Sequence, residues 1–150
     1  MNYLGIDYGR KRVGLGFADG DLGVAVPIPA IINKQAGEVF EQIGQIVKER
    51  YVGELVIGYP LHMDGKTGKR TEEVDQFVRG LEKRLALKVH KVDERLSTSK
   101  VESDFKTMGK KTSKKSGEID SSAAALILQD FLGDQIPPLL PPDDFGYEDE

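Results

Sequence analysis

Apolar residues at the start of the chain fall in two short runs, Tyr3–Tyr8 and Val13–Ala18, separated by the polar stretch Gly9-Arg10-Lys11-Arg12. That pattern predicts a β-hairpin. Val24–Ile32 is apolar but carries Pro27 and Pro29, which predicts a third strand at an edge or with an irregularity, because proline cannot donate to a ladder. The period then changes. Val39, Phe40, Ile43, Ile46 and Val47 share one stripe of a helix over Glu38–Tyr51, with Gly53 expected to end it. Glu54-Leu55-Val56-Ile57-Gly58 is a short apolar run after a helix, which suggests a central parallel strand.

The loop from Tyr59 to Arg70 is glycine-rich and basic, and it follows the carboxyl end of that strand, where open α/β sheets place ligands. A second helix is expected over Thr71–Leu85, with Val74, Phe77, Val78, Leu81 and Leu85 inward, and another strand over Leu87–Val92. Ser97-Thr98-Ser99 starts a further helix, and Ser99 with Glu102 has capping-box spacing. Gly109–Gly117 reads as a basic loop. The last helix is expected from near Asp120 to about Leu132, apolar nearly all round and therefore mostly buried. The order β-β-β-α-β-α-β-α-α predicts an α/β fold: a mixed five-stranded sheet with helices on both faces. Residues 1–133 form one domain in this reading, followed over 134–150 by a proline-rich acidic tail expected to be disordered.

Charge sharpens this reading. The net charge of −4 conceals a division, since residues 66–115 hold fifteen Lys and Arg against eight Asp and Glu. A basic half on an acidic chain suggests a polyanionic partner such as nucleic acid, although lysines also solvate helices without binding anything. The absence of cysteine excludes disulfides and thiolate metal sites. The chain opens on a strand and has no apolar run of membrane-spanning length, so a cytoplasmic protein with no membrane partner is expected.

Three acidic positions lie where an apolar element meets the rim of the sheet. Asp7 ends the first strand, Asp93-Glu94 ends the last, and Asp120 opens the buried helix. If they converge they repel, and a hard divalent cation with oxygen ligands is the usual remedy. Two Mg²⁺ ions so held can activate water and stabilise a leaving oxygen in phosphodiester cleavage. Each acid also has a plainer explanation. Asp7 could cap the turn, Asp120 could be an N-cap, and Asp93 or Glu94 could pair with Arg95. Gly5, Gly9, Gly14 and Gly16 would let a ligand or another backbone come close to Asp7. His62 and His90 read as an ordinary loop and an ordinary strand residue.

Four blocks taken in order carry a resemblance. They are Gly5-Ile6-Asp7-Tyr8-Gly9-Arg10-Lys11-Arg12-Val13-Gly14, Ile57-Gly58-Tyr59-Pro60-Leu61-His62-Met63-Asp64-Gly65, Asp93-Glu94-Arg95-Leu96-Ser97-Thr98 and Ile119-Asp120-Ser121-Ser122-Ala123-Ala124. The chain resembles the YqgF/RuvX family over about residues 1–133. That family comprises Holliday-junction-resolvase-like nucleases linked in bacteria to trimming of the precursor of small-subunit ribosomal RNA. The resemblance implies an RNase H-like fold and a nuclease dependent on Mg²⁺ or Mn²⁺, with two ions. It implies Asp7, Glu94 (or Asp93) and Asp120 as catalytic metal ligands. Lys11, Arg12 and Arg95 would hold phosphates, and Lys110, Lys111, Lys114 and Lys115 would add attraction independent of sequence. Tyr59 and His62 depart from the Leu and Asn more usual in the family's loop. The implied partners are a structured RNA precursor, branched DNA or a ribosomal particle, and the implied state is a monomer or a homodimer. Two other classes compete. A non-catalytic RNA-binding module needs no convergence of acids, and an actin-like phosphotransferase needs two such domains, for which 150 residues are too few.

Overall fold

The computed structural model describes residues 1–96 and 116–133. The chain runs through β1 (Asn2–Tyr8), β2 (Arg12–Asp19), β3 (Val24–Ile32), α1 (Ala36–Glu49), β4 (Val52–Tyr59), α2 (Lys69–Leu85), β5 (Lys88–Asp93), a 3₁₀ turn (Glu94–Leu96) and α3 (Ser116–Leu132). The five strands form one mixed sheet in the order β3-β2-β1-β4-β5. The β1–β2 and β2–β3 pairs are antiparallel, and β1–β4 and β4–β5 are parallel. The proline-bearing β3 lies at an edge, as its composition predicts, and its pairing with β2 slips between Val13 and Leu15.

Alternation along the strands divides two cores. Leu4, Ile6, Val13, Leu15, Leu55 and Ile57 pack against Val39 and Ile43 of α1 and Val74, Phe77, Val78 and Leu81 of α2. On the opposite face Val56 and Val92 pack against Ile127 and Leu128 of α3. Helices therefore cover both faces. Stacking of Tyr8 on Phe77 and of Phe77 on Phe40, with centroids 4.0 and 5.4 Å apart, ties β1 to both helices of the first core.

The glycines of the hairpin have a structural use. A Cβ on Gly14 would stand 2.1 Å from the carbonyl oxygen of Asp120, and one on Gly16 would stand 2.6 Å from Cα of Ala125. The backbone that comes close here is that of α3. Small residues on the helix, Ser121, Ala124 and Ala125, are buried against the same surface, so helix and sheet approach more closely than side chains of ordinary size allow.

Most element boundaries shift by one or two residues from the sequence reading, α2 for instance starting at Lys69, and two differences are larger in consequence. Gly53 does not end α1, because it lies inside β4. The reversal is made instead at Arg50 and Tyr51, and Tyr51 adopts a left-handed φ of 54°. Non-glycine residues are strained in that region, and the Tyr51 side chain is 84% exposed, so it gains little from packing. Tyr51→Gly is expected to stabilise the protein by about 0.5–1 kcal/mol, read as a higher urea midpoint at unchanged m. The second difference is at α3, which begins at Ser116 rather than near Asp120. Asp120 is thus beyond the first turn and is not an N-cap. The helix expected from Ser97 with its Ser99–Glu102 cap, the loop bearing Lys110, Lys111, Lys114 and Lys115, and the tail over 134–150 lie outside the described residues.

Candidate active site

Asp7 is the next-to-last residue of β1, on the face covered by α3. Its antiparallel partner on β2 is Gly14. On the other side, one step beyond the Ile6–Ile57 pair, β4 presents Gly58. A side chain on either neighbour would cover the carboxylate. With glycine at both, the space is filled from outside the sheet. The backbone of α3 at Asp120 lies over Gly14, and the Glu94 carboxylate lies over Gly58, its Oε2 3.0 Å from where a Cβ would stand.

Glu94 and Asp120 therefore both bring negative charge to Asp7. Asp7 is pushed up from 3.8 to about 7, first by burial, then by the charges of Glu94 and Asp120, with Arg70 opposing. No hydrogen bond from a described residue offsets that penalty. Burial together with two neighbouring like charges is an arrangement common at functional sites.

Asp93 and Glu94 stand in different surroundings. Asp93 is buried at the end of β5 and is taken up by Arg95. Arg95 Nη2 donates to Oδ2 at 2.6 Å, Nε donates to both oxygens, and the Arg95 backbone N–H donates to Oδ1. Hydrogen bonding to Arg95 holds Asp93 below the usual carboxylate range. Glu94, one residue on in the 3₁₀ turn, is the acid whose charge reaches Asp7. Arg95 itself is occupied, since Nη1 also donates to the carbonyl of Met63 at 3.1 Å. Its guanidinium tethers the loop after β4 and stands apart from Lys11 and Arg12.

Arg12 does reach the site. Its Nε donates to Asp120 Oδ2 at 3.0 Å, so the third acid is paired with a hairpin arginine. Lys11 is exposed at the same turn, where its carbonyl accepts the backbone N–H of Asn33. Among the described residues no group of three acidic, histidine or cysteine side chains is arranged to hold a metal ion as it stands, in keeping with the Arg12 contact that engages Asp120. All three acids offer oxygen donors, the kind that a hard divalent cation takes.

Sequence reasoning missed Arg70. From the first turn of α2 its Nη2 donates to the carbonyl of Tyr8 at 2.6 Å, beside Asp7. Nothing in periodicity marks a contact that spans 62 positions. With Gly9, Arg10, Lys11, Arg12 and Asp120, Arg70 lines a cavity of about 290 Å³. Across the Arg12 side chain lies a larger cavity of about 650 Å³, walled by Pro27, Ile28, Pro29 and Ala30 of β3 and by Ser121 and Ser122 of α3. Tyr59 faces away from the acids. Its hydroxyl donates to Asp75 Oδ2 at 2.9 Å on the α2 side, and burial with that bond pushes it to about 12. His90 pairs with Glu54 at 2.7 Å, far down β5 from the site.

Known proteins resemble this chain over most of its length. The family model for RuvX, described as Holliday junction resolvase, matches residues 1–134. A protein of Opitutus terrae named "Putative pre-16S rRNA nuclease" is 41% identical over 142 residues, which cover 94% of this chain and 97% of that protein. One of the same name from Maridesulfovibrio salexigens is 38% identical over 132 residues, covering 88% and 98%. Among solved structures, RuvC of T. thermophilus in complex with a Holliday junction substrate matches with a TM-score of 0.56 at 14% identity, over 93% of this chain and 99% of that one. That likeness is one of fold, which is RNase H-like. Among the described residues no helix is long and apolar enough to cross a membrane.

Proposed function

The chain belongs to the RuvX family described as Holliday junction resolvases, and on that premise we propose that it is a divalent-metal-dependent endonuclease. Its substrate in this proposal is structured RNA, the precursor of 16S ribosomal RNA trimmed at its 5′ end. The observation that carries the chemistry is Asp7, buried between the charges of Glu94 and Asp120 with its proton held to about pH 7. The preference for ribosomal RNA rests on the names of relatives that match nearly end to end.

In this reading Asp7, Glu94 and Asp120 would hold Mg²⁺ or Mn²⁺, Asp120 being the acid that Arg12 engages in this structure. Such ions, when bound, lower the pKa of a water and stabilise the leaving oxygen. The chain's own residues do the rest. Gly14 and Gly58 keep the face of Asp7 clear of side chains, and Arg12 and Lys11 at the hairpin turn receive the backbone phosphates. Asp93 and Arg95 hold the loop after β4 in place.

The test is cleavage of a labelled ribosomal-RNA precursor fragment and of a four-way DNA junction, each with Mg²⁺, Mn²⁺ or chelator. Glu94→Gln is expected to lower kcat at least about 100-fold, which is roughly 3 kcal/mol of transition-state stabilisation. Asp93→Asn is expected to keep most of the rate and to lose about 1.5–3 kcal/mol of stability with its charge-assisted bonds. Cutting that persists in chelator, or that falls with Asp93 and not with Glu94, would overturn the assignment. Faster cutting of the junction than of the RNA would make the protein a resolvase, which needs two active sites on a symmetric dimer.

A further inference from the structure

Beside the acids, two arginines converge on one glutamate. Arg10 Nε and Nη2 donate to the two oxygens of Glu73, both at 3.2 Å. Arg70 Nη1 donates to Oε1 of the same carboxylate. Hydrogen bonds from Arg10 first, and from Arg70, hold Glu73 below the usual carboxylate range. Arg10 comes from the hairpin turn and Arg70 from the start of α2, 60 positions apart, so the fold assembles the pair. One negative charge on two guanidiniums leaves the cluster positive, and Lys11 adds to it along the 290 Å³ cavity, where Arg12 is paired with Asp120.

The fork-to-fork geometry of arginine on a carboxylate is also its geometry on a phosphate. The place is right for one. Arg70 Nη2 is anchored on the carbonyl of Tyr8, the residue after Asp7, and its charge is felt at Asp7. A phosphate seated between Arg10 and Arg70 would therefore neighbour the one at the acids. The Arg10 side chain is 61% exposed, against 32% for Arg70, so the outer jaw is open to solvent and the inner one is fixed.

We propose that Arg10 and Arg70 form a clamp for a backbone phosphate of the nucleic acid, and that Glu73 occupies the clamp as a stand-in anion until the substrate displaces it. The clamp rests on the nuclease reading for the nature of its polyanion. It adds a consequence that reading does not contain: removing the negative charge of Glu73 strengthens binding.

The experiment is fluorescence anisotropy of a labelled RNA hairpin with single-stranded flanks, titrated with the full-length protein in chelator over a range of NaCl. Glu73→Gln is expected to bind at least about threefold more tightly at low salt. The double variant Arg10→Ala/Arg70→Ala is expected to lower the slope of log K against log salt by about 0.7–0.9, the loss of one phosphate contact. Arg70→Lys keeps the charge but not the fork and is expected to bind more weakly than the wild type. Should the double variant fail to fold, Arg10→Ala alone carries the slope measurement, because that side chain is the exposed one. Weaker or unchanged binding by Glu73→Gln, or an unchanged slope in the arginine variants, would overturn the clamp. Because no cutting is needed, the two readings separate. A protein that cuts with metal but shows no slope change keeps the nuclease and loses the clamp, and one that shows the slope change without cutting does the reverse.

Discussion

Asp7→Asn is expected to abolish cleavage and, in the same protein, to raise the melting temperature. The loss of activity follows from removing the central oxygen ligand of the proposed metal site, whose contribution to the transition state is several kcal/mol, so at least about 10³-fold in rate. The gain in stability follows from the direction of the pKa shift. Asp7 holds its proton to about pH 7 in the folded protein, against 3.8 ordinarily. Below pH 4 both states carry the proton and the group costs nothing. As pH rises from 4 to 7 the unfolded chain ionises first, so stability falls through this window and levels off above it. At pH 8 the penalty is on the order of 4 kcal/mol. Asparagine is nearly isosteric and never ionises, so the variant escapes most of that penalty.

The measurement is a pair of thermal melts at pH 4.5 and pH 8. At pH 8 the variant should melt several degrees above the wild type, at about 2–4 °C per kcal/mol for a chain of this size. At pH 4.5 the gap should shrink to about 1 kcal/mol, because only the first part of the window has been crossed. Mn²⁺ at about 100 times its dissociation constant should add about 2.7 kcal/mol to the wild type and leave the variant unmoved. A variant less stable than the wild type at pH 8 would show that Asp7 has a favourable partner, and the metal-site reading would lose its main support.

Much of this site was legible in the sequence, and what was not has a physical reason. The hairpin, the edge strand over Val24–Ile32 and the parallel strand after the first helix follow from apolar period and proline placement, which are local properties. Asp7 stood out because an acid in an apolar strand is costly wherever the rest of the chain goes. Asp93 and Glu94 could not be told apart, since the 3₁₀ turn breaks the alternation that would assign their faces. The start of α3 was misplaced because Ser116 and Gly117 look like loop residues. In the fold a Cβ on Gly117 would meet Ala30 and Arg12 at ordinary contact distance, and such tertiary proximity is invisible to propensity. Arg70 and Glu73 read as the ordinary charged surface of an amphipathic helix. Only the parallel crossover that sets α2 beside the hairpin gives them their partners.

The glycine pairing makes Gly14→Ala a single-methyl change expected to disturb the candidate site directly. Its Cβ would fall 2.1 Å from the carbonyl oxygen and 2.3 Å from the carbonyl carbon of Asp120, both backbone atoms that no rotamer change can move. Either β2 or the first turns of α3 must shift by more than 1 Å. Overpacking of this kind costs about 1–3 kcal/mol or more, but the larger effect is on the site. A displacement of about 1 Å in a catalytic group costs on the order of 10²-fold in rate, and Asp120 is the residue displaced. Gly37→Ala is the matched control. It adds the same methyl within α1, where a Cβ would meet nothing within 4 Å, and it should be neutral or stabilising by up to about 1 kcal/mol. Cleavage rates and urea midpoints of the two variants decide the matter. If Gly14→Ala folds with less than about 1 kcal/mol lost and cuts at the wild-type rate, the close seating of α3 on β2 does not set the position of Asp120. If it stays folded but cuts poorly, with substrate affinity in chelator unchanged, then the glycine serves the geometry of the acids rather than the binding of nucleic acid.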